Sequence, residues 1–411
     1  LAALIMNSTL IPNTNEYFEI YSIPAAIFAS GFATIGFLII TKGKIPLYYG
    51  SSFSYIPAIS IITSKYALTF SNLEDNGAKI VFGAIMIASI ISGLMSIGAG
   101  LLIRRFGKEK IDKILPGHIT GMIAMIIGLS LANNTMSSIL NITNDKVDWL
   151  SVLVASITFV TISILTVILK KRFISQIPIL LGIGIGIIFS YLIYVPSLNK
   201  DLSYFKAITF YITNLERGKI GLFDHMPWNT IKPALSNPSV VITAILAIFP
   251  IAFATIPESA AHVNQVDLYV NNLAKELQID KQYNIKELLD LNLIGDGSAD
   301  IIAVLLSGPA GTNYGENVSA SAVTKNFSSY VFKLTGILAI ITGLLLHFLG
   351  NINISQLLTN PVIQGVSLYL FGAIAVQGIA LMIDKKVNVF DSKVVAVMAF
   401  IAIVGLGVTE I

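Results

Sequence analysis

The sequence contains no cysteine, which removes disulfides, thiolate metal sites and cysteine nucleophiles at once. Charge is scarce too. Asp, Glu, Lys and Arg make up 12% of the chain, about half of what a soluble domain carries, so the polar surface needed to dissolve is missing. The net charge of +3 is small and spread over the loops, and no basic stripe marks a nucleic-acid partner. No phosphate-cradling lysine motif is present to feed a primary pump, and no regularly spaced arginine run suggests a voltage sensor. Glu258 and His262 invite comparison with a zinc-protease helix, but the second metal-binding histidine is missing. Neither a metal nor another cofactor is expected. The first residues, Leu1 to Met6, have no basic flank and read as the middle of a helix rather than a signal peptide. The last residues also stop inside an apolar run, so both ends read as truncated.

What the chain has in abundance is apolar length: 55% hydrophobic residues and a mean hydropathy of +0.79. Apolar runs occur near Phe18–Thr41, Ile80–Ile103, Ile114–Leu131, Trp149–Leu169, Ile174–Tyr194, Val240–Thr255, Tyr330–Leu349, Pro361–Ile383 and Val389–Val408, with a partial run at Leu1–Pro12. Three weaker segments, Ile45–Thr63, Leu288–Ser307 and Ala310–Val323, are interrupted by Gly, Pro or polar residues. A helix needs roughly 20 apolar residues to cross the hydrocarbon core, so these runs amount to about thirteen spans. The chain reads as an all-α polytopic membrane protein. Counting the weak segments as spans, strict alternation puts Lys42–Lys44, Arg104–Lys113 and Lys170–Arg172 on the cytoplasmic side, where basic residues accumulate.

A long loop, Pro196–Pro233, divides the chain into halves. In the first half, Ile45–Thr63 is broken at Gly50-Ser51-Ser52 and Pro57; in the second, the stretch from Ser307 to Gly315 breaks the apolar pattern in a similar way. Paired interruptions in corresponding parts of two halves point to a transporter's binding site, because unwound backbone at membrane depth survives only when buried in protein or lining a cavity.

Glu258 and His262 are spaced i, i+4 and share one helix face. A carboxylate within a span costs about 2.5–3.5 kcal/mol on insertion scales and is rare without a job. The bland alternative is that the membrane ends near Pro257 and the pair caps an interfacial turn. Tyr314-Gly315-Glu316-Asn317 follows the second break and forms the second constellation. Asp296 and Asp300 are also acidic within a span, with helix-end, packing and ion-coupling roles all open. His118 and His347 read as hydrogen-bonded helix histidines, and His225 as a solvated loop residue.

Three motifs, in order, carry a resemblance: Lys42 through Phe53 (KGKIPLYYGSSF), the Glu258…His262 pair, and Asn313 through Asn317 (NYGEN). Together they resemble the nucleobase–ascorbate transporter (xanthine/uracil permease) family, nearest its bacterial uracil permease branch, over essentially the whole chain. The resemblance implies a fourteen-span fold of two inverted seven-span repeats, with short antiparallel strands in the third and tenth spans. Here the first span lacks its start and the fourteenth is absent. It further implies a core domain (1–103 and 238–349), a gate domain (104–195 and 350–411) and an extracellular loop (196–237), working as an elevator and commonly a homodimer in the lipid. Carried over by motif, Glu258 and Glu316 match the substrate-binding glutamates. Phe53 and Gly315 match the residues that give backbone and stacking contacts, and His262 and Tyr314 match the supporting hydrogen-bond partners. Glu258 and His262 are the candidates for proton coupling.

The implied activity is import of uracil or a related nucleobase with protons across the bacterial cytoplasmic (inner) membrane. The runner-up is a xanthine or purine permease of the same family, with an anion transporter of the same fold behind it. Pro257-Glu258-Ser259 is nearer the purine branch. That branch, however, has Gln where Glu316 stands and lacks the histidine at 262, which favours a pyrimidine. Two acidic groups facing the ligand would repel an anion. An enzyme is not expected: beyond the Glu–His pair no nucleophile–base set is visible.

Overall fold

The structure is a computed structural model that describes residues 3, 6, 20–70, 75–107, 116–140, 147–168, 178–195, 220–349 and 358–407. In chain order its elements are α1 (Ile23–Ile40), β1 (Tyr49–Ser51), a 3-10 turn (Phe53–Tyr55), α2 (Ile56–Phe70), α3 (Asp75–Phe106), α4 (Gly117–Leu140), α5 (Trp149–Ile168) and α6 (Pro178–Phe189). Then come α7 (Pro227–Leu235), α8 (Pro238–Ile248), α9 (Ala252–Glu276), α10 (Leu289–Leu305), β2 (Gly311–Asn313), α11 (Gly315–Thr324), α12 (Ser329–Phe348), α13 (Asn360–Asp384) and α14 (Ser392–Gly407). Apart from Ala3 and Met6, the expected run Leu1–Pro12 lies outside the described residues, as do the basic segments 108–113 and 170–172. The interval 196–237, expected as a loop, contains the nine-residue helix α7.

Among the described residues, six helices are long and apolar enough to cross a membrane. Shorter apolar stretches lie at Phe53–Thr63, Gly117–Ser130, Pro178–Tyr194 and Ser392–Leu406. Large apolar side chains point outward from these helices, such as Leu153, Ile164 and Ile168 on α5 and Leu338, Leu345 and Phe348 on α12. In water that surface would be costly to expose, whereas lipid is as apolar as the side chains themselves. The bland alternative at Pro257 falls away, because α9 continues through it to Glu276. The break falls earlier, at the 3-10 turn Phe249–Ile251 containing Pro250. One expectation is corrected: His225 is buried, with Nδ1 2.8 Å from the Ile20 carbonyl oxygen, rather than solvated.

The chain forms two compact units. Unit 1 comprises Leu1–Pro116 and Gly218–Asn351; unit 2 comprises Gly117–Arg217 and Ile352–Ile411. In unit 1, α3 packs along α10, α12 along α1, and α1 along α10, with α7 and α8 lying on α3. Small residues allow this closeness: a Cβ on Gly297 would sit 2.2 Å from the Gly93 carbonyl oxygen. A buried cluster including Phe37, Tyr49, Val263, Ala299, Ala303 and Phe332 fills the space around the strands. In unit 2, α13 packs on α4 and α5, α5 on α6, and α14 on α4.

Both strands of unit 1 are reached by the same local route. Helix α1 ends with Lys42 in the left-handed region (φ 54°) and the Gly43 N–H donating to the Leu38 carbonyl at 2.8 Å. Helix α10 ends with Ser307 left-handed (φ 64°) and the Gly308 N–H donating to the Ala303 carbonyl at 2.9 Å. This closing turn satisfies terminal carbonyls and reverses the chain. Pro46 and Pro309 then prevent helix from resuming. Each half therefore repeats the order helix, left-handed turn, proline, three-residue strand, helix.

Candidate functional site

The strands pair antiparallel, with Tyr49 opposite Asn313, Gly50 opposite Thr312 and Ser51 opposite Gly311. The ladder extends one bond each way, through Tyr314 N–H to the Tyr48 carbonyl (2.9 Å) and Ser52 N–H to the Ala310 carbonyl (3.3 Å). Two strands alone would leave outer edges unpaired, which a membrane interior does not tolerate. Side chains of the flanking helices cover them. Tyr49 N–H donates to Thr34 Oγ1 on α1 at 3.1 Å. On the other edge, Gly311 N–H donates to Asp300 Oδ1 at 2.8 Å and Asn313 N–H to Asp296 Oδ1 at 3.1 Å. Thr312 Oγ1 also donates to Asp296 Oδ2 (3.2 Å), and the Tyr49 hydroxyl donates to Asp300 Oδ1. Both aspartates are buried on one face of α10. The roles left open by the sequence thus include a concrete one: they replace the missing strand beside β2.

The expected site residues fall around this ladder. Phe53 opens the 3-10 turn after β1 and is half-buried. Ser52 caps that turn, its Oγ accepting the Ser54 N–H at 3.1 Å. Glu258, half-buried on α9, accepts a long hydrogen bond from Ser54 Oγ at 3.4 Å. One turn along the same face, buried His262 lies with Nδ1 at 2.7 Å from Asn313 Oδ1. Its Nε2 faces the start of α11, where a Cβ on Gly315 would lie only 2.7 Å away. Tyr314 bridges the two breaks, its hydroxyl donating to the Ser51 carbonyl at 2.7 Å. Glu316 is the second residue of α11; its side chain lies outside the described residues.

The structure therefore brings Glu258, His262, Gly315 and the residue after Phe53 together within unit 1. A cavity of ≈ 180 Å³ opens on the α1 side of the ladder, lined by Ser30, Tyr48, Gly50, Ser51 and Tyr314 among others. It reaches Tyr314, whereas Glu258 and His262 are not among its walls. Among the described residues no three His, Asp or Glu side chains converge as a metal site.

Sequence reasoning passed over the residues behind the pair. Asn313 Nδ2 donates to Ser259 Oγ (3.0 Å) and to Asn292 Oδ1 (3.1 Å), and Asn292 Nδ2 donates to Ser259 Oγ (2.7 Å). All three side chains are buried. Their polarity inside apolar helices was the available signal, since buried amides need partners; which partners could not be read from spacing.

A model of the Permease family (Xan_ur_permease) matches residues 1–411, the whole chain. The chain belongs to the Permease family. Among its relatives, the uracil permease of Bacillus caldolyticus is 30% identical over 386 residues, covering 93% of this chain and 78% of that protein. The uracil permease of Escherichia coli (strain K12) is 26% identical over 385 residues, covering 92% and 76%. The transmembrane domain of the cyanobacterial bicarbonate transporter BicA has a similar fold, with a TM-score of 0.52 and 16% identity, covering 99% of this chain and 95% of that one. Membership of this family and the apolar helices make the chain a membrane-embedded permease rather than an enzyme.

Proposed function

We propose that the chain is a secondary active transporter importing uracil, or a closely related nucleobase, with protons across the bacterial cytoplasmic membrane. The observation that carries this reading is the meeting of Glu258 with Ser54 after β1, on the helix face where His262 meets Asn313 and Gly315 after β2. Both broken spans thereby deliver their half-helix starts to one ionisable pair, the way transporters assemble midplane sites. Relatives named as uracil permeases support the substrate class.

In this reading Phe53, Tyr314, Gly315 and Glu316 complete the substrate-binding set, and Glu258 and His262 carry the proton. Uracil presents a C=O beside an N–H. A neutral carboxyl offers a donor beside an acceptor and complements that edge, whereas a carboxylate only accepts. Substrate and proton then raise each other's affinity by linkage, so uracil binding weakens as pH rises. The repeated order in both halves supports an inverted repeat. The compactness of unit 1, which holds every site residue, supports an elevator in which that unit is the core domain and unit 2 the gate, within a homodimer. A purine substrate is the alternative. Bicarbonate, transported by the protein of similar fold, is disfavoured by the Glu258 carboxyl at the site.

The test is reconstitution in proteoliposomes, with binding of uracil, xanthine and ascorbate measured across pH. Glu258→Gln keeps a donor and an acceptor but cannot release a proton. It should retain measurable uracil binding with a flattened pH dependence and lose proton-driven accumulation, while Glu258→Ala loses both. His262→Gln is the control for the rival proton carrier. If Glu258→Gln still accumulates uracil against a gradient in a pH-dependent way, Glu258 is not the coupling site. Wild-type binding of xanthine without uracil would move the substrate to the purines.

A further inference from the structure

We propose that Asn313 is a positioning residue that keeps a hydrogen on His262 Nδ1 in both charge states, so that His262 gains and loses its proton only at Nε2, beside Gly315. The argument starts from donor inventory. An asparagine amide has two N–H donors on one atom and an acceptor on the other. Asn313 Nδ2 spends its two donors on Ser259 Oγ at 3.0 Å and Asn292 Oδ1 at 3.1 Å. Asn292 is oriented by the Ser259 backbone carbonyl, which can only accept and lies 3.5 Å from its Nδ2, beside the Ser259 Oγ at 2.7 Å; that leaves its Oδ1 as the acceptor. Flipping one amide alone would set two donors or two acceptors face to face, and flipping both would turn Asn292 Oδ1 onto the acceptor-only Ser259 carbonyl. Asn313 Oδ1 must therefore be the atom turned toward His262, and at 2.7 Å it can only accept. A histidine nitrogen bonded to a pure acceptor has to carry hydrogen, and the partner of one ring nitrogen decides where the other titrates.

The site is buried, with His262 only 9% exposed and Asn292 and Asn313 fully enclosed, so water offers little competition for Nδ1. The opposite nitrogen points at the first residue of α11, where an added Cβ would approach Nε2 to 2.7 Å. The ionisable residues adjoining this cluster are Glu258 one turn back on the same helix, Asp296 on α10, which accepts the Asn313 N–H, Asp300 one turn beyond Asp296, and Glu316, next after Gly315. All are acidic, and Asn313 is the neutral group placed between His262 and Asp296. A carboxyl at position 313 would instead bring a charge directly against the ring. The inference rests on the transport reading only for its consequence: Nε2 becomes the atom through which His262 meets substrate or the coupled proton.

The tautomer can be read from 15N spectra of the full chain labelled at its four histidines, with His262→Gln identifying the His262 signals. Above the titration, wild type should show Nδ1 protonated and Nε2 bare. On acidification the large 15N change should occur at Nε2, with Nδ1 keeping its hydrogen throughout. Asn313→Leu, similar in volume but without an acceptor, should lose the Nδ1–H signal in favour of Nε2–H or a mixture. Asn313→Asp should keep Nδ1–H and move the titration to higher pH, because a carboxylate stabilises the imidazolium. A neutral wild-type ring protonated at Nε2 overturns the proposal, as does an unchanged Nδ1–H signal in Asn313→Leu. Should Asn313→Leu not fold, the wild-type titration decides alone. Added uracil separates the two readings: if the tautomer is as stated but uracil leaves the Nε2 signal unmoved, Asn313 positions the ring and the nucleobase site fails.

Discussion

Replacing Asp300 tests whether α10 does substitute for a missing strand. Asp300 Oδ1 accepts from the Gly311 N–H at 2.8 Å and from the Tyr49 hydroxyl, so one side chain ties both strands to the same helix. All three groups lie in the buried interior of unit 1. Asp300→Ala removes the acceptor and leaves two buried donors without one. Each orphaned donor costs about 1–3 kcal/mol, so the expected loss of stability is about 2–6 kcal/mol. Tyr49→Phe removes one donor and leaves Asp300 its backbone partner, a loss of about 0.5–1.5 kcal/mol for the bond itself. In the Tyr49→Phe background, Asp300→Ala orphans only the Gly311 N–H and should cost less than in wild type. The cycle should therefore show coupling of about 1–3 kcal/mol, within the range for contacting residues. Asp300→Asn, which retains an acceptor oxygen, should lose least. The assay is equilibrium unfolding in mixed micelles, with uracil affinity as a second readout because β1 leads into Phe53 and β2 into Gly315. If the two losses simply add to within about 0.5 kcal/mol, Tyr49 and Asp300 do not share the bond and the edge-covering account fails.

Gly315→Ala should destabilise by about 1–3 kcal/mol, an overpacking cost, because its methyl would fall 2.7 Å from His262 Nε2. Adding His262→Ala should recover part of that loss in the same unfolding assay, and no recovery would mean the methyl clashes elsewhere. Glu316→Gln should weaken uracil binding and widen acceptance toward xanthine, since an amide adds a donor where a carboxyl has none or one; unchanged uracil affinity removes Glu316 from the site. Arg105→Cys and Lys171→Cys, in a chain without native cysteine, should resist membrane-impermeant thiol reagents applied outside intact cells. Labelling there reverses the orientation drawn from loop charge.

Composition and periodicity were enough to place this chain in a membrane, to locate its two broken segments and to put Glu258 and His262 on one helix face. Those features follow from quantities local to the chain: the length of apolar runs, the breaks made by Gly and Pro, and the 3.6-residue turn. The continuation of α9 through Pro257 was legible only as the better of two readings, because a proline removes one hydrogen bond but does not fix whether packing holds the helix together across it. Nor was the work of Asp296 and Asp300, whose spacing fits a helix end, an ion site or a packing contact equally well. Their partners lie on β2, and for Asp300 also on Tyr49, 251 positions away in the chain. The same holds for Asn313, Asn292 and Ser259, whose polarity was visible but whose bonds were not. A hydrogen bond needs its atoms placed to within tenths of an ångström. For residues so far apart in sequence, that placement comes from how α1, α9 and α10 pack around the strands, which no local pattern encodes.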